Sequence, residues 1–273
     1  MKSDIEKLEW LVSHIQVSPA RTFLSGPLLN AYDPMWYCGG KRERFLCGEF
    51  RSIFQDIWGL LTLIHRIEWM RRLALKDENA RELWRSYTAA DINSFHTETR
   101  SIFDYSARII GCSGKKPNQA RAESFSELVG WLGENPGNAE RLGPALSQIV
   151  QSAAPWFSEI RAIRNQIVHH GAFTLVFAEP DKGILFQIHG LDPSEYLSFK
   201  PVMFNEHVAD FQLYCALVMA RLFHFLNQVA VEVKRVFGKG GFPGDGTMES
   251  IGLDNLKCWS ERLLLALKAI GEP

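Results

Sequence analysis

The stretch IRAIRNQIVHHG, residues 160–171, sets an arginine, an amide and two histidines among isoleucines. An arginine can grip an anion with two parallel N–H bonds, and a histidine titrates near neutrality and can carry a proton. Arg164, Asn165, His169 and His170 are therefore the side chains in this chain best suited to acid–base chemistry on an anionic group. On a wheel at about 100° per residue, Phe157, Ile160, Ile163, Ile167 and Val168 gather on one side, and Arg164 lands in their sector. A guanidinium there must be paired, must snorkel to water, or must face a cleft. Asn165 and His169, four residues apart, stack on a neighbouring strip. Arg164 and His169 are five apart, ~140° around an ideal helix. They share a face only if the last turn unwinds, or if a second copy of the helix completes the group across a two-fold axis. A plainer alternative stays open. Arg164 could bridge to a carboxylate such as Asp104, while His169 and His170 sit near helix-end carbonyls, where positive charge is favoured.

The elements that must position these residues are mostly helical. The helix carrying the stretch is expected to begin near Pro155, a first-turn residue, and to end near Gly171. Before it, Phe50, Ile53, Phe54, Ile57, Leu61, Ile64 and Ile67 recur at spacings of three and four, which predicts a helix over 49–76. A second is expected over 80–111, with Leu83, Tyr87, Ile92, Phe95, Ile102, Phe103 and Ile109 facing the core and Gly111 as its stop. Two shorter helices, SFSELVGWL and NAERLGPALSQIVQSA, follow a basic linker. Beyond Gly171, two β-rich runs flank EPDKG, predicting a hairpin over about 173–189. A very long helix then runs from about Asn205 to Phe237. Residues 1–48 read as an N-terminal extension. It holds a short helix in DIEKLEWLVSHI and a loop that packs through Trp36 and Tyr37. Residues 238–273 read as a glycine-rich loop and a last amphipathic helix, DNLKCWSERLLLALKAI. The fold class expected is all-α, one helical domain over 49–237 with an inserted β-hairpin and terminal extensions.

Composition narrows the function classes. The 273 residues are 46% apolar and 22% charged, with a formal net charge of −1, so a sizeable core is possible and no global positive field draws in a polyanion. Any nucleic-acid contact must come from a local patch. Cys38, Cys47, Cys112, Cys215 and Cys258 are scattered without a CxxC pair, which favours reduced thiols and a cytoplasmic location. The start, MKSDIEKLEWLV, is wrong for a secretory signal. The apolar run LYCALVMARLFHFLNQVAV is interrupted by Arg221, His224, Asn227 and Gln228, so it reads as a buried helix rather than a membrane span. GKGGFPGDG has neither Walker nor Rossmann spacing, no G-x-S-x-G elbow occurs, and adjacent histidines on a helix diverge too far for zinc. No metal and no cofactor is expected. The tryptophans at 58, 69, 84, 131, 156 and 259 fall at helical spacing and default to core packing.

The arrangement Arg-Asn-x-x-x-His at a helix end resembles the signature of the HEPN superfamily, the "higher eukaryotes and prokaryotes nucleotide-binding" domains. That pattern is an arginine, an adjacent polar residue, and a histidine after four to six intervening residues. Arg164, Asn165 and His169 match it with four between, and the context VHHG resembles uncharacterised bacterial members. The resemblance covers about six positions, and the motif lies here at the end of its helix. It implies a bundle of four or five helices and two protomers facing each other as a homodimer. It further implies metal-independent cleavage of RNA, in which the 2′-hydroxyl attacks the adjacent phosphorus and the 5′-oxygen leaves. On that pattern Arg164 holds the phosphate, His169 is the acid/base and Asn165 positions. His170 is a second proton carrier or a helix-end residue, and Asp104 supports Arg164. RNA or a nucleotide is the implied ligand, and a toxin or defence effector with an antitoxin partner the implied setting. The alternative within the family is a non-catalytic nucleotide-binding domain or protein-interaction scaffold.

Overall fold

The structure is a computed structural model, and it describes Glu9 and residues 41–115, 122–177, 183–188, 197–237, 258–265 and 268. The expected short helix near the N-terminus, the Trp36–Tyr37 arm, the EPDKG turn and the glycine-rich loop lie outside those residues, Glu9 and Gly183 apart.

Helix α1, Lys41–Ala74, and helix α2, Glu78–Ser113, form a long antiparallel hairpin. Asp77 closes the turn between them by accepting from the Ala80 N–H at 2.9 Å, the expected service of an N-cap aspartate. Helix α1 starts earlier than the spacing predicted, and α2 runs through Gly111 to Ser113. The apolar repeat meets the core as expected at Phe50, Ile53, Ile57, Leu61, Ile64 and Ile67, and at Ile92, Phe95, Ile102, Phe103 and Ile109. Leu83 and Tyr87 do not, being 50% and 54% exposed. The buried stripe near the start of α2 passes through Ala80, Trp84, Thr88 and Asp91. Leu83 and Tyr87 lie one residue behind that stripe, ~100° around the helix. Trp58 and Trp69 are likewise exposed, whereas Trp84, Trp156 and Trp259 are buried.

Helix α3 spans Phe125–Glu134 and helix α4 spans Pro136–Leu142. The expected helix over NAERLGPALSQIVQSA is broken, because Gly143 adopts φ +106° and Pro144 starts a new helix. Helix α5 therefore spans Pro144–His169, and the first-turn proline is Pro144, not Pro155. Pro155 is tolerated inside because it and Gln151, whose carbonyl it leaves unbonded, both face solvent.

Past α5 the chain forms strands β1, Thr174–Phe177, and β2, Leu185–Ile188, antiparallel with Thr174 opposite Ile188 and Phe177 opposite Leu185. A third strand, β3, Ala209–Asp210, pairs with β2 in the order β1-β2-β3. This two-residue strand comes from the segment expected to open the long helix. The Asn205 Oδ1 accepts from the His207 and Val208 N–H groups at 2.9 Å each, turning the chain before β3. The Asp210 Oδ1 then accepts from the Gln212 and Leu213 N–H groups at 2.9 and 3.1 Å, so helix α6 spans Phe211–Phe237. The molecule is thus mostly helical with a small antiparallel sheet, where a hairpin alone was expected.

Helix α6 is long and apolar enough to cross a membrane between Phe211 and Val233, at mean hydropathy 1.3, yet 72% of that stretch is buried against the rest of the chain. It is the only such helix among the described residues. Phe103 ties it to the others: its ring lies 4.9 Å from Phe125 of α3, 4.8 and 4.9 Å from Trp156 and Phe157 of α5, and 4.9 Å from Phe225 of α6. Residues 258–265 are helical and dock Trp259 and Leu263 into the core, with Arg262 bonded to Gln212 and 3.6 Å from Asp210.

A buried histidine links α2 to α6 near the sheet. His96 is fully buried, its Nδ1 lies 2.7 Å from the Ile92 carbonyl and its Nε2 2.9 Å from the Tyr214 hydroxyl. A carbonyl only accepts, so Nδ1 carries the hydrogen and Nε2 accepts from the tyrosine. Burial pushes the His96 imidazole down to about 4, from an ordinary 6.5. A depressed histidine binds fewer protons folded than unfolded, so its contribution is complete above about 6.5 and is lost as pH falls toward 4, ~3 kcal/mol in all. Glu98 runs the other way: burial and then Asp56 raise its carboxyl to about 7, so its contribution is lost as pH rises. The histidine is therefore isolated by comparison with His96→Gln in urea unfolding at stepped pH. The wild type should lose more stability than the variant between pH 6.5 and 4. Parallel losses would rule His96 out as the cause.

Candidate functional site at the end of helix α5

The site is built where α5 stops. Its last turn is closed by the Gln166 carbonyl, which accepts from the His170 N–H at 3.2 Å and the Ala172 N–H at 3.0 Å. That reversal requires Gly171 at φ +64°, the left-handed region in which a Cβ is costly. The expectation that the helix ends at Gly171 holds. Gly171→Ala should cost about 1–2 kcal/mol by thermal or urea unfolding, since the Cβ has open space and only the backbone is strained. Strand β1, which follows, is fixed to α2 by a hydrogen bond from Thr174 to Asn93. Phe157, Ile160 and Ile163 are buried and Ile167 packs on the core, as the wheel predicts, but Val168 is exposed.

Arg164 and His169 meet within one chain. An Arg164 Nη1–H points at the His169 Nε2 at 2.8 Å, and the same nitrogen lies 3.4 Å from the Asn165 Oδ1. This corrects the expectation that an unwound turn or a second copy would be needed. The helix stays regular through His169, and the separation of five residues is only about 7.5 Å along its axis. Helical side chains lean toward the N-terminus, so His169 tilts back toward Arg164, and the long arginine stem covers the remaining angle. A guanidinium has only donors, so the His169 Nε2 is the acceptor in this contact and Nδ1 carries its hydrogen. Arg164 is half-buried and His169 is exposed, which leaves the pair open to a ligand.

On α2, which packs against α5 through Phe103, Arg100 and Asp104 stand at i and i+4. The Arg100 Nη2 lies 3.5 Å from the Asp104 Oδ2, and the Asp104 Oδ1 accepts from the Phe125 N–H at 3.1 Å. Asp104 is thus bonded to Arg100 and the start of α3, and it reaches Arg164 only as a nearby charge. Burial lowers the Arg164 pKa, Arg100 lowers it further, and Asp104 opposes both. Among the described residues the Nε atoms of Arg100 and Arg164 are buried with no hydrogen-bond partner. Leaving such a donor unpaired costs roughly 1–3 kcal/mol, so two on facing helices call for an explanation. Arg100 was not singled out from the sequence. Its signal was there, since it stands one turn before Asp104 and shares its face. His170 is exposed and contributes its backbone N–H to the helix end, and its ring has no hydrogen bond among the described residues.

Among the described residues no group of three or more His, Cys, Asp or Glu side chains is arranged to hold a metal ion. No family model, curated protein or solved structure matches the chain. The site sets an exposed imidazole, a half-buried guanidinium that touches it and an amide beside them at the end of α5. Such a set can hold an anion and move a proton next to it.

Proposed function

We propose that the protein is a metal-independent endoribonuclease of HEPN type. The observation that carries this reading is the 2.8 Å contact between the Arg164 guanidinium and the His169 imidazole at an open helix end. When a phosphodiester enters, Arg164 turns its N–H groups to the non-bridging oxygens and releases the His169 Nε2. That nitrogen takes the proton of the 2′-hydroxyl, whose oxygen attacks phosphorus. The bond to the 5′-oxygen breaks, and an imidazolium returns a proton to it, leaving a 2′,3′-cyclic phosphate and a 5′-hydroxyl. Asn165 steadies the arginine, and Asp104 holds Arg100 in place. The substrate is RNA, and the setting is a toxin or defence effector restrained by an antitoxin protein. A homodimer is part of this reading, now supported by exposed Val168, Phe173, Leu175 and Phe177 beside the site rather than by the wheel.

The second reading drops catalysis and keeps a nucleotide-binding scaffold. The observation favouring it is the same contact, because an imidazole already accepting from Arg164 is not free to take a proton. Purified protein incubated with RNA in excess chelator, beside Arg164→Ala and His169→Ala, separates the two. Cleavage by the wild type alone supports the nuclease. Undiminished cleavage by the variants, or its loss on chelation, overturns it.

A further inference from the structure

We infer that two copies of the chain meet edge to edge through β1, which continues the sheet across a two-fold axis at Leu175. The homodimer rests on the reading above, and its interface is argued from the strand alone. Strand β1 stands at one edge of the sheet, paired with β2. Among the described residues no further backbone hydrogen bond reaches residues 173–177. Every second residue of a strand points its N–H and C=O away from its neighbour, so the outer edge of β1 offers unspent donors and acceptors to another strand. Proteins usually blunt such an edge with charge, proline or a bulge. Residues 171–177, GAFTLVF, carry no charge and no proline. The register with β2 runs unbroken from Thr174 opposite Ile188 to Phe177 opposite Leu185, so no bulge turns the edge away. Along it Phe173, Leu175 and Phe177 are 72%, 42% and 42% exposed, with Val168 exposed at the end of α5.

The order of side chains says what covers that edge. FTLVF, residues 173–177, reads alike in both directions: aromatic, β-branched, leucine, β-branched, aromatic. A two-fold contact joins one surface to itself, so it needs such self-complementarity. Turned antiparallel about Leu175, the strand sets Leu175 opposite its own copy, Phe173 opposite Phe177 and Thr174 opposite Val176. The first two pairs lie on the exposed face, where aromatic and aliphatic side chains directly opposite each other stabilise a ladder. The third lies on the face that each copy already buries against its own core. No charge is brought against a like charge within the paired segment, and a formal net charge of −1 sets little repulsion between whole chains. A two-fold pairing uses up the edge, so the assembly closes at two copies.

The full chain is sedimented over a concentration series beside Leu175→Lys, which sets two ammonium groups opposite each other at an exposed position. The wild type should be a dimer, and the variant's dimer dissociation constant should rise about tenfold or more. A monomeric wild type overturns the interface. So does a Leu175→Lys dimer as tight as the wild type's, which would mean that the copies meet through another face. The register is read by cross-linking. Leu175→Cys should join two chains on mild oxidation, because opposed Cβ atoms stand about 5 Å apart. Phe173→Cys should not, because its own copy lies roughly 14 Å away along the ladder. Phe173→Cys combined with Phe177→Cys should cross-link again. The tryptic peptide 165–182 holds no native cysteine, so its self-linked form in mass spectrometry reports this segment alone. No link from Leu175→Cys, or an equal yield from Phe173→Cys, overturns the pairing. If Leu175→Lys melts below the wild type it is set aside and the cross-links decide. RNA cleavage in chelator is scored on the same samples. A dimer with this cross-link pattern and no cleavage keeps the interface and sinks the nuclease, and cleavage by a monomeric wild type does the reverse.

Discussion

Replacing His169 with alanine should cut metal-free RNA cleavage by about a hundred- to ten-thousand-fold, the span attributable to one positioned proton carrier. The loss should fall on kcat. His169 lies against Arg164 rather than in its place, so its removal frees the Nη1–H for phosphate and leaves KM little changed. Arg164→Ala should differ in kind. It removes the group that answers charge developing on the phosphoryl oxygens, lowering kcat about a hundred- to a thousand-fold and raising KM as well. Single-turnover and steady-state assays in chelator, on a ribo-oligonucleotide and its 2′-deoxy counterpart, check both. Equal effects of the two variants on kcat and KM would mean that the pair acts as a structural unit and not in separate roles.

Phe103→Ala is expected to be the most damaging single truncation for stability. Its ring is fully buried and stands about 5 Å from four other rings, on α3, α5 and α6. Truncation removes ring contacts to three helices at once, edge-to-face with Phe125 and Trp156 and tilted with Phe157 and Phe225, and leaves a void that rigid neighbours fill poorly. The expected cost is about 3–5 kcal/mol, or a fall in Tm on the order of 10 °C for a chain of this size. Leu83→Ala is the control: Leu83 is 50% exposed, and surface changes away from special features stay within ~0.5 kcal/mol. Calorimetry on both variants checks the contrast. A Phe103→Ala loss no larger than that of Leu83→Ala would mean that the aromatic cluster does not hold the helices together.

Much of this architecture was legible in the chain itself. The three-and-four spacing from Phe50 to Ile67 and from Ile92 to Ile109 marks the buried faces of α1 and α2 because a helix repeats every 3.6 residues wherever it packs. Alternation over TLVF gives β1, with Thr174 and Val176 inward and Leu175 and Phe177 outward. Gly171 marks the end of α5 because only glycine takes that backbone angle cheaply. The chemically apt residues Arg164, Asn165 and His169 were likewise visible, as polar groups that interrupt an apolar face.

Other features depended on partners distant in sequence. Strand β3 is two residues long, too short for any period, and exists only because β2 offers an edge beside it. Pro155 looked like a helix start because proline suits a first turn. The helix continues through it because Gln151 and Pro155 face water, where an unbonded carbonyl is solvated. The Arg164–His169 contact was hidden because a wheel draws side chains as radial spokes, whereas real ones lean along the axis and a long one bends. Residue identities and spacing marked the long helices and most of each apolar face, since those are largely local matters of propensity and period, while the break at Gly143 and the exposure of Leu83 and Tyr87 were not marked. Only the tertiary structure decided that the Arg164 guanidinium reaches the His169 imidazole and that α5 packs on α2, because the first depends on how side chains lean along the axis and the second on how the Phe103 cluster locks two helices together.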